Sequence, residues 1–123
     1  MSKEGKQKIL VVDDDPTILK TAQKILSQEY EVAVATDGLE AMNAVKKTRP
    51  DVIVLDIMMP EMNGYDVCHA LKFDSPYKDI PILLLTSRDQ EIDPRIGKMM
   101  GVHYMQKPLQ PEVFVSQIKK ILG

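Results

Sequence analysis

Residues 9–16, ILVVDDDP, decide the fold class of this chain. The aliphatic run at residues 9–12 predicts a strand buried on both faces, because a strand with one face in water alternates polar and apolar residues. The aspartates end this strand, and Pro16 suits the first position of a helix, where no backbone N–H is needed. A buried strand that leads directly into a helix is typical of a parallel sheet with helical crossovers.

The same alternation of strand and helix continues along the chain. Further strands are predicted at residues 32–35, 51–55, 80–85 and 103–106. Helices are predicted from residue 16, from an Asp37 cap through residue 47, across residues 67–71, from about residues 93–94 to 100–101, and from Pro111 onward. Five strands alternating with five helices predict an α/β fold, a doubly wound parallel sheet with right-handed crossovers and helices on both faces.

Two of these helices have clear apolar stripes at helical spacing. The stripe of the first consists of Ile18, Leu19, Ala22, Ile25 and Leu26, and that of the last consists of Val113, Phe114, Ile118, Ile121 and Leu122. Asp37 followed by Glu40 resembles a capping box, in which each side chain accepts a backbone N–H at the start of the helix.

The composition is that of one ordinary globular domain. Of its residues, 44% are hydrophobic and 28% are charged, and the formal net charge is −2. The length of 123 residues leaves no room for a second catalytic domain. No apolar run approaches the ~20 residues of a membrane span, and the start of the chain is polar, so we expect a cytoplasmic protein without membrane contact. The scattered lysines and arginines argue against direct nucleic-acid contact. Cys68, the single cysteine, is expected to be a packed side chain.

Charged and hydroxyl side chains, which can bind ligands or react, follow the ends of the predicted strands. In an open parallel sheet, ligands bind beyond the carboxyl ends of the strands, near the point where the strand order reverses. We therefore expect the groups at these ends to converge on one edge of the sheet. In chain order they are Asp13 and Asp14, Asp56, Thr86 and Ser87, and Lys107.

This set of side chains indicates a magnesium-assisted phosphoryl site. Asp13, Asp14 and Asp56 would repel one another unless a cation lay among them. Magnesium suits them because it binds few protein oxygens, keeps water and accepts a phosphoryl oxygen as a further ligand. The Lys107 ammonium and the Thr86 hydroxyl would help to neutralise a phosphoryl group, which leaves the Asp56 carboxylate as the nucleophile.

Each residue also has a simpler structural explanation. Asp14 or Asp15 could cap the first helix, Ser87 could cap the fourth, and Lys107 with Pro108 could form a solvated turn. Jointly these explanations are weaker, because several independent strand ends would each need a suitable residue by accident.

Four motifs resemble those of the receiver domain of two-component response regulators. They are ILVVDD at residues 9–14, DIMMPEMNG at residues 56–64, Thr86-Ser87 and Lys107-Pro108, and the second is the most specific. The similarity covers residues 8–122, which are identified as a receiver domain, and residues 1–7 are a polar lead. It implies a flavodoxin-like sheet of five parallel strands in the order 2-1-3-4-5.

The resemblance also implies a role for each site residue. Asp56 would accept a phosphoryl group from a histidine kinase or a phosphotransfer protein. Thr86, Ser87 and Lys107 would stabilise that group. The Mg²⁺ ligands would be Asp13, Asp14, Asp56 and the backbone carbonyl of Met58.

A conformational switch is a further implication of the resemblance. Thr86 would move toward the phosphate and Tyr104 would turn inward, changing the surface of the fourth predicted helix, the fifth strand and the last helix. This surface would signal to a downstream protein or to a fused output domain, and a phosphorylation-dependent dimer is also compatible with it. Tyr104 could equally be a half-buried residue of an edge strand. Met99, Met100 and Met105 could form a docking patch nearby or simply pack.

Three other functions are less well supported. A phosphohydrolase with an aspartyl nucleophile needs a second aspartate two residues later, where this chain has Met58. A nucleotide-binding module needs a glycine-rich phosphate loop, which the sequence lacks. A pseudo-receiver would lack acids that are present here. We therefore expect no turnover of an external substrate, only self-catalysed phosphorylation and dephosphorylation, in a stand-alone regulator or the N-terminal part of a longer one.

Overall fold

The computed structural model describes residues 6–57, 64–72, 76–86 and 102–123. Within them, five parallel strands form one sheet in the order β2-β1-β3-β4-β5. The strands are β1 (Lys8–Val12), β2 (Glu31–Ala35), β3 (Val52–Asp56), β4 (Ile82–Thr86) and β5 (His103–Gln106). The predicted strand order is confirmed. The order reverses at β1, which pairs with β2 on one side and β3 on the other.

Four helices are described, and they alternate with the strands as predicted. They are α1 (Pro16–Leu26), α2 (Gly38–Thr48), α3 (Gly64–Lys72) and the C-terminal helix (Pro111–Leu122). The helix predicted at residues 93–101 lies outside the described residues, together with Met99 and Met100. The predicted start of β4 at Ile80 is wrong by two residues, because the Ile80 N–H donates to the Tyr77 carbonyl in a turn.

Hydrophobic side chains cover both faces of the sheet. Along β1 they alternate, so that Leu10 and Val12 pack in one cluster whereas Ile9 and Val11 pack in the other. The first cluster includes residues from α2 and α3, and the second includes residues from α1 and the C-terminal helix. This arrangement explains the unbroken aliphatic runs, because a central strand has no face in water.

Two helices begin at aspartate caps. Asp15 accepts the Thr17 N–H at 2.9 Å at the start of α1, and Asp37 accepts the Glu40 N–H at 2.8 Å at the start of α2. The expected capping box at α2 is shifted by one residue, because Glu40 Oε1 accepts the Thr36 N–H at 3.0 Å rather than that of Asp37. Asp15 is thus the residue that caps α1, one of the two alternatives left by the sequence.

Burial confirms most of the predicted core and corrects one residue. Cys68 is fully buried, and burial raises its pKa to about 11 despite the opposing charge of Lys72, as expected for a packed thiol. Val113 was predicted in the apolar stripe of the last helix, but it is 46% exposed, whereas its neighbour Phe114 is fully buried. Met105 packs against the second cluster.

None of the helices in the described part of the chain has the length and apolar character that a membrane span requires. The cytoplasmic location stays a prediction.

Candidate functional site

The carboxyl edge of the sheet brings together side chains from separate parts of the chain. Asp13 follows β1, Asp56 ends β3, Thr86 ends β4 and Lys107 follows β5. Asp13 is completely buried, and Asp56 and Thr86 are 4% and 2% exposed. Among the described residues, these three are the polar or charged ones that are buried, and all three lie at the same edge of the sheet. Such concentration is unusual for structure alone, because burying polar groups is costly.

Three aspartates at this edge are close enough to share a cation. One carboxylate oxygen from each of Asp13, Asp14 and Asp56 lies within 4.8 Å of the others. Asp14 is exposed, whereas Asp13 and Asp56 are buried, so the cluster opens to solvent on one side. The predicted convergence of these acids is therefore confirmed.

Lys107 partly neutralises this acidic cluster. Its Nζ atom lies 2.9 Å from Asp13 Oδ2 and 3.3 Å from Asp56 Oδ1. Burial acts to lower the pKa of Lys107, but the close contacts and negative charges of Asp13 and Asp56 outweigh it and raise the pKa. The lysine is therefore a permanent cation at neutral pH. The sequence suggested that Lys107 would reach a phosphoryl group but did not indicate these contacts with two carboxylates.

The two carboxylate oxygens of Asp13 have different surroundings. Oδ1 accepts the Asp15 N–H at 2.9 Å. Oδ2 is buried and meets Lys107 as an ion pair, yet it has no partner with hydrogen-bond geometry in the described chain. The Lys107 ammonium attracts Oδ2 at 2.9 Å nonetheless, because the attraction of opposite charges does not depend on hydrogen-bond angles. A buried acceptor with unused capacity, beside two further carboxylates, fits a hard cation that takes oxygen ligands.

Thr86 lies on β4, and Tyr104 lies on β5, the outermost strand beside it. The Thr86 side chain is buried at the end of β4, and its carbonyl accepts the Lys107 N–H at 2.7 Å. Tyr104 is 46% exposed on the edge strand β5. Its ring therefore lies at the surface, as both interpretations of this residue allow, and its switching role stays a prediction. Met58 and Ser87 lie outside the described residues.

A groove elsewhere on the surface does not belong to this site. It has a volume of about 1140 Å³ and lies between α1 and the C-terminal helix, with Ile25 and Val115 among its lining residues. None of the clustered acids lines it. A small hard cation needs convergent oxygens rather than volume, so the acidic edge is the candidate site.

The Lys107→Met variant tests the neutralising role of this lysine. In the presence of a metal chelator, we expect the free energy of unfolding to fall by about 2 kcal/mol, because buried Asp13 loses its counter-charge. Added Mg²⁺ should restore part of the loss, since a dication can replace the ammonium. Urea denaturation with each additive measures both effects.

Lys119→Met is the matched control for that experiment. Lys119 pairs with Glu29 at 3.5 Å, but both side chains are more than half exposed. Its loss should change stability by less than about 0.5 kcal/mol. Equal stabilities of the parent and Lys107→Met in chelator would contradict the proposed role of Lys107.

Comparison with known proteins identifies close relatives of the chain. The family model of the response regulator receiver domain matches residues 9–119. The DNA-binding response regulator MtrA of Mycolicibacterium smegmatis is 40% identical over 116 residues, which cover 93% of this chain and 50% of that protein. The alkaline phosphatase synthesis transcriptional regulatory protein PhoP of Bacillus subtilis is 40% identical over 118 residues, covering 94% of this chain and 48% of that protein. The chain thus spans about half the length of these relatives.

Solved structures match over almost the whole chain. The chemotaxis protein CheY4 of Vibrio cholerae superposes with a TM-score of 0.86 at 35% identity, covering 94% of this chain and 98% of that one. The signal receiver domain of a signal transduction histidine kinase from Syntrophus aciditrophicus gives a TM-score of 0.83 at 34% identity, covering 94% and 89%. These matches agree with the five-stranded parallel fold and its strand order.

Proposed function

This chain belongs to the response regulator receiver domain family of two-component systems, and on that premise we propose that Asp56 accepts a phosphoryl group in a magnesium-dependent reaction. Receiver domains pair with histidine kinases and generally bind Mg²⁺. The observation that carries the proposal is the convergence of three carboxylates within 4.8 Å, with Lys107 Nζ against two of them.

Asp56 would act as the nucleophile of the transfer. An oxygen of the Asp56 carboxylate forms the new bond to phosphorus, and the bond to the donor breaks with its electron pair going to the leaving group. The donor is the phosphohistidine of a kinase or phosphotransfer protein, and its imidazole is the leaving group. The product is an acyl phosphate on Asp56.

The site must stabilise the negative charge of the phosphoryl group. The Lys107 ammonium lies 3.3 Å from Asp56 Oδ1 and would remain paired with the transferred group. The buried Thr86 hydroxyl can donate a hydrogen bond to a phosphoryl oxygen. Asp13, Asp14, Asp56 and the Met58 carbonyl would hold Mg²⁺, which supplies positive charge for the phosphoryl oxygens. Ser87 would be a further donor.

Phosphorylation of Asp56 would alter strands β4 and β5 through Thr86 and Tyr104. Movement of Thr86 toward the phosphoryl group would leave a space that Tyr104, now 46% exposed, could fill. The surface around β5, the C-terminal helix and the helix predicted at residues 93–101 would change shape and alter the affinity for a protein target, an output domain or a second copy. The chain would turn over no external substrate.

Acetyl phosphate provides a direct test of the proposal. With Mg²⁺, the intact mass of the chain should increase by one phosphoryl group, and a chelator should prevent the increase. No increase at any donor concentration, in folded protein with Mg²⁺, would refute the proposal. The rival phosphohydrolase would instead release phosphate continuously from a simple phosphomonoester, which we expect not to occur.

A further inference from the structure

Asp15 links the first turn of α1 to the acidic cluster. Its side-chain Oδ1 accepts the Thr17 N–H at 2.9 Å, and its carbonyl accepts the N–H groups of Ile18 and Leu19 at 3.1 and 3.2 Å. Its own N–H donates to Asp13 Oδ1 at 2.9 Å. The cap therefore fixes the backbone of the residue that holds the Asp13 carboxylate.

The orientation of Asp13 depends on this hydrogen bond. The Asp13 side chain is completely buried, and Oδ1 is the oxygen that accepts a hydrogen bond. With Oδ1 held by the Asp15 N–H, Oδ2 points to Lys107 at 2.9 Å. If the Asp15 backbone were released, the carboxylate could rotate and its oxygens would no longer be fixed toward the site.

We propose that Asp15 is a positioning residue, which uses its helix cap to fix the Asp13 carboxylate for Mg²⁺. The inference rests on the proposed function, because it concerns the same metal site. Asp15 acts through Asp13 and is not itself a ligand: its side chain is exposed, its Oδ1 is engaged with the Thr17 N–H, and it lies outside the cluster of acids that could share a cation. Groups that orient metal ligands in this way typically contribute 10–100-fold to metal affinity.

Two simpler explanations predict different results and can be separated by mutation. The negative charge of Asp15 could attract the metal through space, in which case Asp15→Asn and Asp15→Ala would weaken Mg²⁺ binding alike. Alternatively, loss of any helix cap could weaken binding by lowering the stability of the domain. Asp37 provides the control for that case, because its side chain caps α2 by accepting the Glu40 N–H at 2.8 Å and is not part of the acidic cluster.

The experiment is an Mg²⁺ titration of the full chain and its variants, monitored through backbone amide NMR signals. Asp15→Ala should bind Mg²⁺ about 10-fold more weakly than the parent. Asp15→Asn, which retains a capping oxygen without the charge, should bind with nearly the parent affinity. Asp37→Ala should lose a similar amount of stability in urea and keep the parent affinity.

Parent-like affinity in Asp15→Ala would overturn the inference while leaving the proposed function intact. The inference would also be overturned by equal weakening in Asp15→Asn and Asp15→Ala, or by the same weakening in Asp37→Ala. Failure of the parent itself to bind Mg²⁺ would overturn the proposed function, and this inference with it.

Discussion

The Asp56→Asn protein is expected to acquire no phosphoryl group from acetyl phosphate and Mg²⁺, in contrast to complete or partial modification of the parent. An amide oxygen is a much weaker nucleophile than a carboxylate and cannot form a stable acyl phosphate. Asparagine has nearly the same shape, and it removes one of three mutually repelling charges, so the variant should fold. Intact mass measured with and without donor reports the result.

Asp51→Asn is the matched control, because Asp51 lies just before β3 and Asp56 lies at its other end. Asp51 accepts the Lys8 N–H at 2.7 Å and is exposed. Its substitution should leave the extent of modification unchanged. If Asp56→Asn were modified as fully as the parent, a different side chain would be the acceptor, and the assignment of Asp56 would be wrong.

The fold class could be predicted from the residues alone because the central strands are unusually simple. Each of β1, β3 and β4 contains four consecutive aliphatic residues, and such runs are expected only where both faces are buried. The order of strands did not follow from these runs, and it required the resemblance to receiver domains. The site followed from the fold, because parallel strands necessarily bring Asp13, Asp56 and Lys107 to one edge.

The contacts within the site were beyond prediction from the sequence. Side-chain orientation decides that Lys107 meets Asp13 and Asp56 and that Asp15, rather than Asp14, caps α1. The spacing of residues along the chain carries no information about such rotations. Similarly, Glu40 resembled a capping-box residue, but its carboxylate reaches Thr36 because the chain before α2 is extended at Asp37.

Helical periodicity also proved too coarse to define the edge of a buried face. Val113 and Phe114 are adjacent in the C-terminal helix, and an apolar stripe about 100° wide could include both. The structure separates them, with 46% exposure for Val113 and none for Phe114. Consecutive helical residues point in directions about 100° apart, so a residue at the margin of the stripe, such as Val113, can face solvent while its neighbour faces the sheet.

Phe114→Ala should therefore reduce the free energy of unfolding by about 3–5 kcal/mol, since it removes a fully buried ring and leaves a cavity. The ring belongs to the cluster that includes Val54 of β3 and Leu85 of β4, so this loss would loosen the attachment of the C-terminal helix to the strands that carry the site. Urea denaturation followed by far-UV circular dichroism measures the change. A domain of ordinary stability has only about 5–15 kcal/mol in total.

Val113→Ala is the matched control on the same helix, one residue away. Because its side chain is half exposed, we expect the free energy of unfolding to change by no more than about 0.5 kcal/mol. The higher helix propensity of alanine partly compensates for the lost contacts of the valine. Similar losses in both variants would contradict the different burial of the two side chains and would mean that the helix is rotated about its axis. A large loss confined to Phe114→Ala would instead establish that the second cluster holds this helix against the sheet, and with it the surface through which phosphorylation is proposed to act.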